Sequence, residues 1–317
     1  MRALITGIGG FVGPYLAREL RARTAWTLVG LGHHPLPPGD YETVAADLLD
    51  RARLARLIGD IAPTHVFHLA AQSHVPTSHH DGGATLHNNI AAQVNLLDAC
   101  RVLAVPPRIL IIGSGEEYGP ARPEEMPLRE EQPFRPTSPY AVSKVAQDLL
   151  GWQYFHSYGL PIVRVRPFNH LGPGQSDRFA MAAFARQVAE VEAGLRPPVV
   201  RVGNLDARRD FLDVRDVVHA YYLALTRGVL GEVYNIGGGV PIRIGDGLAQ
   251  LLALATRPIA VEFDPARLRP SDVPVLVADT SRLRAATGWQ PTIPFERSLR
   301  DTLNWWRGRV GVASVAP

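Results

Sequence analysis

The hydrophobic residues of the N-terminal half form short apolar runs separated by longer amphipathic stretches. Short apolar runs bounded by polar or glycine residues predict buried strands, and apolar residues three or four positions apart predict helices. Strands are predicted at residues 3–6, 27–29, 43–45, 65–68, 108–112 and 161–165, and helices at residues 11–23, 50–61, 83–103 and 138–158. This alternation predicts the α/β class, with a Rossmann-type doubly wound parallel sheet covered by helices on both faces.

The regular alternation stops after Arg166, where loops rich in proline, glycine and arginine begin. Such loops after a regular α/β half are typical of a lobe that carries the substrate site. A helix and a strand are still predicted within residues 213–236, which indicates a return to the sheet. We therefore expect an NAD(P)-binding Rossmann domain of residues 1–166 plus about 213–237, and a smaller C-terminal α/β lobe of residues 167–212 and 238–317.

The composition excludes several classes of protein. No apolar run approaches the about 20 residues that span a membrane, and the N-terminus has no signal-peptide pattern, so we expect a cytoplasmic protein without a membrane partner. The single cysteine, Cys100, excludes a disulfide framework. The net charge of +3 includes no basic block, because both signs alternate along the chain, and we expect no nucleic-acid partner.

The use of basic residues singles out one position. Of the 33 basic residues, 32 are arginine and only Lys144 is lysine. An ammonium differs from a guanidinium in size and in hydrogen-bond geometry. A chain that uses arginine elsewhere but lysine here indicates a specific requirement at Lys144.

A glycine-rich turn follows the first predicted strand and leads into a helix. Gly7, Gly10 and Gly13 permit a tight turn, close approach of the backbone to a pyrophosphate and close packing of helix on sheet. The helix N-terminus that begins near Phe11 and Val12 offers free N–H groups and positive potential. In this context we expect a dinucleotide cofactor, NADP or NAD, rather than a purely structural turn.

The end of the second strand bears on the choice of cofactor. A carboxylate there would bind the ribose of NAD, and an arginine would favour the phosphate of NADP. Residues 30–34 offer neither, but His33 can contact a phosphate, and this slightly favours NADP. Asp47 and Leu48, after the third strand, can reach the adenine; alternatively, Asp47 caps the next helix.

Tyr140 and Lys144 lie four residues apart in a predicted helix and therefore share one face. A neighbouring ammonium favours the phenolate, so we expect Lys144 to lower the pKa of Tyr140. The phenol can then exchange a proton with a carbonyl oxygen, and Lys144 can also hold the nicotinamide ribose. An ordinary surface pair is the alternative.

Two further side chains follow the strand at residues 108–112. The hydroxyl of Ser114 can bind a reacting carbonyl oxygen at the cofactor crevice, or Ser114 is an ordinary turn residue. Glu116 is either a second acid/base group or a solvated loop carboxylate. His74, His79 and His80 lack regular ligand spacing, so we expect no metal site.

Taken in order, these motifs resemble those of the extended short-chain dehydrogenases/reductases. The glycine turn, Ser114, Tyr140 and Lys144 match, as does the run His68-Leu69-Ala70-Ala71-Gln72 followed by Asn89. The resemblance implies that Leu69, Ala70, Ala71 and Asn89 contact the cofactor. Within this group the chain is most similar to the GDP-6-deoxy-D-mannose reductases, which reduce GDP-4-keto-6-deoxy-D-mannose to GDP-D-rhamnose.

The resemblance extends to three segments of the second lobe, residues 166–175, 202–211 and 268–274. It implies that Asn169, Arg209, Arg269 and Asp272 bind the nucleotide sugar. These residue types suit that ligand, because arginine pairs with diphosphate and a carboxylate accepts bonds from ribose hydroxyls. Salt bridges between loops are the alternative for each residue.

Two departures keep other functions open. The family often has a serine where this chain has Gly115, and the related GDP-mannose 4,6-dehydratases use a threonine and a glutamate at the positions of Ser114 and Glu116. A dehydratase therefore remains an alternative, as do an epimerase and a catalytically idle dinucleotide-binding regulator. By analogy with the family, the long helices near residues 83–103 and 138–158 predict a homodimer.

Overall fold

A computed structural model describes residues 1–35, 41–268 and 273–311. Its strands are β1 (Arg2–Thr6), β2 (Thr27–Gly32), β3 (Glu42–Ala45), β4 (His65–His68), β5 (Arg108–Ile112), β6 (Ile162–Pro167), β7 (Asn169–Leu171), β8 (Val199–Val202), β9 (Arg208–Asp213), β10 (Val233–Ile236), β11 (Pro241–Arg243), β12 (Ala260–Phe263) and β13 (Val275–Leu276). Its helices are α1 (Gly13–Arg23), α2 (Arg51–Ile61), α3 (Val75–His80), α4 (Gly82–Arg101), α5 (Pro139–Tyr158), α6 (Ala180–Glu192), α7 (Val214–Arg227), α8 (Ile244–Ala253), α9 (Ser281–Thr287) and α10 (Phe295–Val310).

The main sheet is parallel and has the strand order β10-β6-β5-β4-β1-β2-β3. One hydrophobic cluster joins the sheet to α1, α7 and α9, and a second joins it to α2, α4 and α5. Parallel strands need crossover connections, and these place helices on both faces. The predicted fold class is therefore confirmed.

The C-terminal part of the chain contributes two smaller sheets. The strands β11, β9 and β13 lie side by side, with β7 also paired to β9, while β12 pairs with β8. Helices α6, α8 and α10 enclose a third hydrophobic cluster beside them. The strand β10 pairs with β6 in the main sheet, so the chain returns to that sheet after α7. The proposed domain boundaries remain a prediction.

The start of α2 decides one of the alternatives left open by the sequence. The carboxylate of Asp50 accepts a hydrogen bond of 3.0 Å from the backbone N–H of Arg53 and caps the helix. Asp47 instead accepts from the backbone N–H of Leu49 at 2.9 Å, within the preceding turn. The interpretation of Asp47 as the helix cap was therefore wrong.

Within the part of the chain that the structure describes, no helix combines the length and the apolar character needed to cross a membrane.

Candidate active site

A cavity of about 910 Å³ lies at the carboxyl ends of β1, β4, β5 and β6 and extends to β7 and β9. Ligand sites of α/β proteins occur at this edge of the sheet. The predicted site residues that line it are Gly7, Gly10, Phe11, Val12, Gly13, Leu69, Ala70, Ala71, Ser114, Glu116, Tyr140, Lys144, Asn169 and Arg209. Arg269 and Asp272 lie outside the described residues.

The glycine turn between β1 and α1 packs tightly against its neighbours. Gly7 has a φ of +71°, and a Cβ added there would lie 2.8 Å from the backbone nitrogen of Ala70. A Cβ on Gly13 would collide with the carbonyl oxygen of Ile8. Because α1 begins at Gly13, the unpaired N–H groups of its first turn lie at this edge of the cavity. A glycine cradle beside a helix N-terminus fits the pyrophosphate of NAD or NADP.

Replacing Gly7 with alanine is expected to weaken cofactor binding by about 5- to 150-fold, because the left-handed backbone and the contact with Ala70 together cost about 1–3 kcal/mol. Gly59→Ala is the matched control, since Gly59 lies inside α2 with open space around its Cα. Titration of NADPH binding by fluorescence checks both variants. Equal affinities for Gly7→Ala and Gly59→Ala would contradict this account of the turn.

Ser114 lies between two glycines, and each glycine makes room for a neighbouring side chain. A Cβ on Gly113 would collide with a carboxylate oxygen of Glu117, and a Cβ on Gly115 would lie 2.9 Å from the ring of Phe168. The hydroxyl of Ser114 accepts a hydrogen bond of 3.2 Å from the backbone N–H of Glu116. The ring of Phe168 therefore occupies the space that a second serine at position 115 would need.

The helix α5 brings Tyr140 and Lys144 to Ser114. The Ser138 hydroxyl accepts from the backbone N–H of Ala141 at 3.1 Å and caps α5, so Tyr140 lies in its first turn. The side chains of Ser114 and Tyr140 line the same part of the cavity, where the Ser114 hydroxyl lowers the pKa of the Tyr140 phenol. The ammonium of Lys144 donates to the carbonyl oxygen of Ile112 at 2.8 Å and lies 5.9 Å from the centre of the Tyr140 ring.

The pKa of the Tyr140 phenol is raised above its ordinary value, which is opposite to the expected effect of Lys144. Burial is the main cause of the rise; the nearby Ser114 hydroxyl lowers the pKa, while the charges of two nearby carboxylates raise it further. Lys144 is buried as well, and this lowers its own pKa to about 8. The predicted lowering of the Tyr140 pKa was therefore wrong, because burial raises it and the charges that act on the phenol are those of the two carboxylates.

Four residues expected to contact the cofactor lie outside the described lining of the cavity. Asn89 is fully buried, and its side chain bonds the backbone of Gln72 and the hydroxyl of Ser143 at 2.7–3.0 Å. It therefore positions the loop after β4 and the start of α5. His33 and Asp47 are exposed near the ends of β2 and β3, and Leu48 is buried. Their contacts with the adenosine half of the cofactor remain predictions.

The second lobe contributes polar residues to the wall of the cavity. Asn169 is half-buried in β7. Arg209 is buried in β9, where its guanidinium donates to the carbonyl oxygen of Val273 at 2.6 Å and to that of Arg208 at 3.0 Å. These bonds fix the position of the Arg209 guanidinium at the cavity wall. A guanidinium held in this way is suited to binding an anion. Their roles in substrate binding remain predictions.

The structure adds site residues that sequence reasoning missed. Glu117 is fully buried directly behind Ser114, and Tyr221 of α7 lines the cavity while almost completely buried. The signal for Tyr221 was its helical spacing from Val217 and Val218, which places it on the buried face of α7. His74, His79 and His80 also line the cavity, and no group of potential metal ligands occurs among the described residues.

The parallel sheet, the glycine cradle and the Ser114–Tyr140–Lys144 arrangement together define an extended short-chain dehydrogenase/reductase. Comparison with known proteins specifies the family. The GDP-mannose 4,6 dehydratase family matches residues 4–302, and the chain belongs to this family. The resemblance inferred from the motifs is thereby confirmed.

Individual relatives match over nearly the whole chain. A GDP-6-deoxy-D-mannose reductase of Pseudomonas aeruginosa is 37% identical, over 98% of each chain. A UDP-glucose 4-epimerase of Mycolicibacterium smegmatis is 30% identical, over 98% of this chain and 99% of the relative. The solved structure of RMD from Pseudomonas aeruginosa complexed with NADPH has a TM-score of 0.86 and 36% identity, covering 97% of this chain and 99% of that chain.

Proposed function

We propose that the protein reduces the 4-keto group of GDP-4-keto-6-deoxy-D-mannose, using hydride from NADPH or NADH, and forms GDP-D-rhamnose. The observation that carries the proposal is that Ser114, Tyr140 and Lys144 line one cavity, with the ammonium of Lys144 5.9 Å from the centre of the Tyr140 ring. The highest identity among the relatives described above, 37%, is to a GDP-6-deoxy-D-mannose reductase.

The protonation state of Tyr140 suits reduction. Because burial raises its pKa, the phenol keeps its proton, and a reductase needs that proton for the carbonyl oxygen. The Ser114 hydroxyl orients the same oxygen and stabilises the phenolate after proton transfer. Lys144 would hold the nicotinamide ribose of the cofactor. Its ammonium stabilises the Tyr140 phenolate more strongly when the bound substrate excludes water from the cavity.

We propose NADPH as the preferred cofactor. The absence of a carboxylate in residues 30–34 leaves room for the ribose phosphate, and His33 is exposed just after β2, where it can contact that phosphate. The relative solved with NADPH supports this choice, while a UDP-glucose 4-epimerase of Thermus thermophilus, 32% identical, was solved with NAD.

For the nucleotide sugar, we propose that Arg209 binds the diphosphate and that Asn169 binds the sugar or the diphosphate. Both line the same cavity as the glycine turn. We propose Arg269 and Asp272 as further contacts, to the diphosphate and the ribose, on the basis of the resemblance alone. Because all four proposed substrate contacts fall within residues 167–212 and 238–317, we propose that these residues form the substrate lobe.

The direct test is to mix the purified protein with freshly prepared GDP-4-keto-6-deoxy-D-mannose and to follow oxidation of NADPH and NADH in parallel. Rapid oxidation with formation of GDP-D-rhamnose is expected, and it should be faster with NADPH. Absence of oxidation with either cofactor would contradict the proposal.

A dehydratase is the second candidate, because Glu116 lines the cavity beside Ser114 and the family is described by that activity. Glu116 would then take part in the elimination of water as an acid/base group. The two candidates differ in their substrates. A dehydratase would consume GDP-mannose without any added reduced cofactor, whereas the proposed reductase would leave GDP-mannose unchanged.

We also propose that the protein is a homodimer formed through α4 and α5, which pack against each other. The outer side of α5 exposes Val142, Leu149 and Trp152 to 42%, 50% and 45%. Residues spaced in this way share one helix face, and such an apolar stripe is typical of an interface.

Trp152→Asp is expected to convert the dimer to a monomer, because it replaces the largest apolar side chain of this stripe with a charge. Analytical ultracentrifugation of wild type and variant checks this. Phe263→Asp is the control, since Phe263 is 58% exposed in β12, outside α4 and α5. A monomeric wild type, or a dimer that survives Trp152→Asp, would contradict the proposed interface.

We further propose a cytoplasmic location. Cys100 is a free and buried thiol, and free thiols are usual in a reducing compartment. The proposed use of NADPH fits the same compartment.

A further inference from the structure

Directly behind the Ser114 hydroxyl, the structure buries a carboxyl group to which the proposed chemistry gives no role. Glu117 is completely buried at the end of a short 3-10 helix that spans Gly115–Glu117. Its neighbour Glu116 faces the cavity instead, so the helix turns the two glutamates in different directions. A buried carboxyl group is costly, so its position requires an explanation.

The contacts of Glu117 join the reacting serine to a buried ionic network. One carboxylate oxygen accepts the backbone N–H of Ser114 at 2.6 Å, and the other lies 3.2 Å from the guanidinium of Arg166. Arg166 also binds the carboxylate of Asp148 and the hydroxyl of Tyr118 at 2.5–3.0 Å. Arg166 therefore retains other partners when Glu117 is replaced.

We infer that Glu117 is a positioning residue of the proposed reaction, which clamps the backbone of Ser114 so that its hydroxyl meets Tyr140. Gly113 supports this role, because any side chain there would collide with the Glu117 carboxylate. The Ser114 hydroxyl also caps the 3-10 helix by accepting the backbone N–H of Glu116, while the Glu117 carboxylate accepts the backbone N–H of Ser114. The inference rests on the proposed function, since it concerns the rate of that reaction.

The charges around Glu117 come from two packed elements. Lys144 and Asp148 face it from α5, together with the phenol of Tyr140, and Arg166 faces it from β6. Burial and the charge of Asp148 raise the pKa of Glu117, while Arg166 and Lys144 lower it. The carboxyl group can accept the Ser114 N–H whether or not it is ionised, because a carbonyl oxygen remains in both forms.

The test compares two replacements of similar size. Glu117→Leu removes the acceptor, and it is expected to lower kcat about 30-fold while KM for the nucleotide sugar changes less than about 3-fold. Glu117→Gln keeps an acceptor oxygen and is expected to lose only about 5-fold, so the conservative variant rescues most of the rate. Equal losses in both variants would contradict the clamp.

A double-mutant cycle separates positioning from general damage to the fold. If Glu117 acts through Ser114, Glu117→Leu in a Ser114→Ala background should lower kcat less than about 3-fold further, instead of about 30-fold. A full additional loss would overturn the inference. Measured melting temperatures show whether every variant is folded.

Glu130 supplies the matched control. Its carboxyl group is also buried, has a raised pKa because of burial, and accepts the backbone N–H of Asn235 at 2.8 Å, without contact to Ser114. Glu130→Leu is expected to lower the melting temperature but to keep kcat within about 3-fold of wild type. A loss as large as that of Glu117→Leu would show a general effect of removing buried carboxyl groups. An inactive wild type would contradict the proposed function itself, whereas an active wild type with an additive cycle would contradict only the role of Glu117.

Discussion

Tyr140→Phe is expected to lower kcat for reduction of the 4-keto sugar by about 10³-fold, because it removes the proposed proton donor while keeping the ring. The loss corresponds to about 4 kcal/mol of transition-state stabilisation. Binding of NADPH should change little, since the glycine turn and Lys144 are untouched. Stopped-flow kinetics together with a binding titration separate these two quantities.

The matched control for this prediction is Tyr222→Phe. Tyr222 is half-buried on α7 and makes an edge contact with Trp26, with no hydrogen bond to the site residues. Its replacement should leave kcat within about 2-fold of wild type, as expected for a substitution away from the site. Near-normal turnover by Tyr140→Phe would show that the carbonyl oxygen receives its proton from another group.

Lys144→Arg is expected to be nearly as inactive as Lys144→Met, with each variant losing at least about 100-fold in kcat/KM. Lys144 is 5% exposed and its ammonium is bound to the carbonyl oxygen of Ile112, so the larger planar guanidinium cannot take the same position. This result would explain why the one lysine of a chain that otherwise uses arginine lies at this position. Substantial activity in the arginine variant would contradict a specific need for the ammonium.

Lys144 also sets the expected pH dependence. Because burial lowers its pKa to about 8, the ammonium is present below that pH and is lost as the pH rises through it. The raised pKa of Tyr140 keeps the phenol protonated over the same range. Reduction should therefore slow as the pH rises through about 8 in the wild type, and the arginine variant should lack this step.

The main sheet was predictable because its strands are nearly continuous apolar runs. Local patterns were enough to place Gly7, Tyr140 and Lys144 at one edge of that sheet, since each follows or opens a recognisable element. The pairing of β7, β9, β11 and β13 was not predictable, because these short strands pair across long stretches of chain. The helix α3 was missed for a similar reason, since six residues are too few to show a period.

Within the site, the sequence could not show which of Glu116 and Glu117 faces the cavity and which is buried. Two adjacent glutamates after a buried strand look equivalent, and only the 3-10 turn shows which one enters the protein. The predicted direction of the pKa shift of Tyr140 was wrong for a related reason. Sequence spacing shows that Lys144 is near, but burial and the charges of Glu116 and Glu117 depend on packing between distant elements.

In the proposed reaction, hydride is added to carbon 4 of the nucleotide sugar. The most direct measurement supplies NADPH that carries deuterium at its transferable position and analyses the product by mass spectrometry and NMR. We expect GDP-D-rhamnose with one deuterium on carbon 4. A product without deuterium, or conversion of GDP-mannose with no consumption of NADPH, would contradict it.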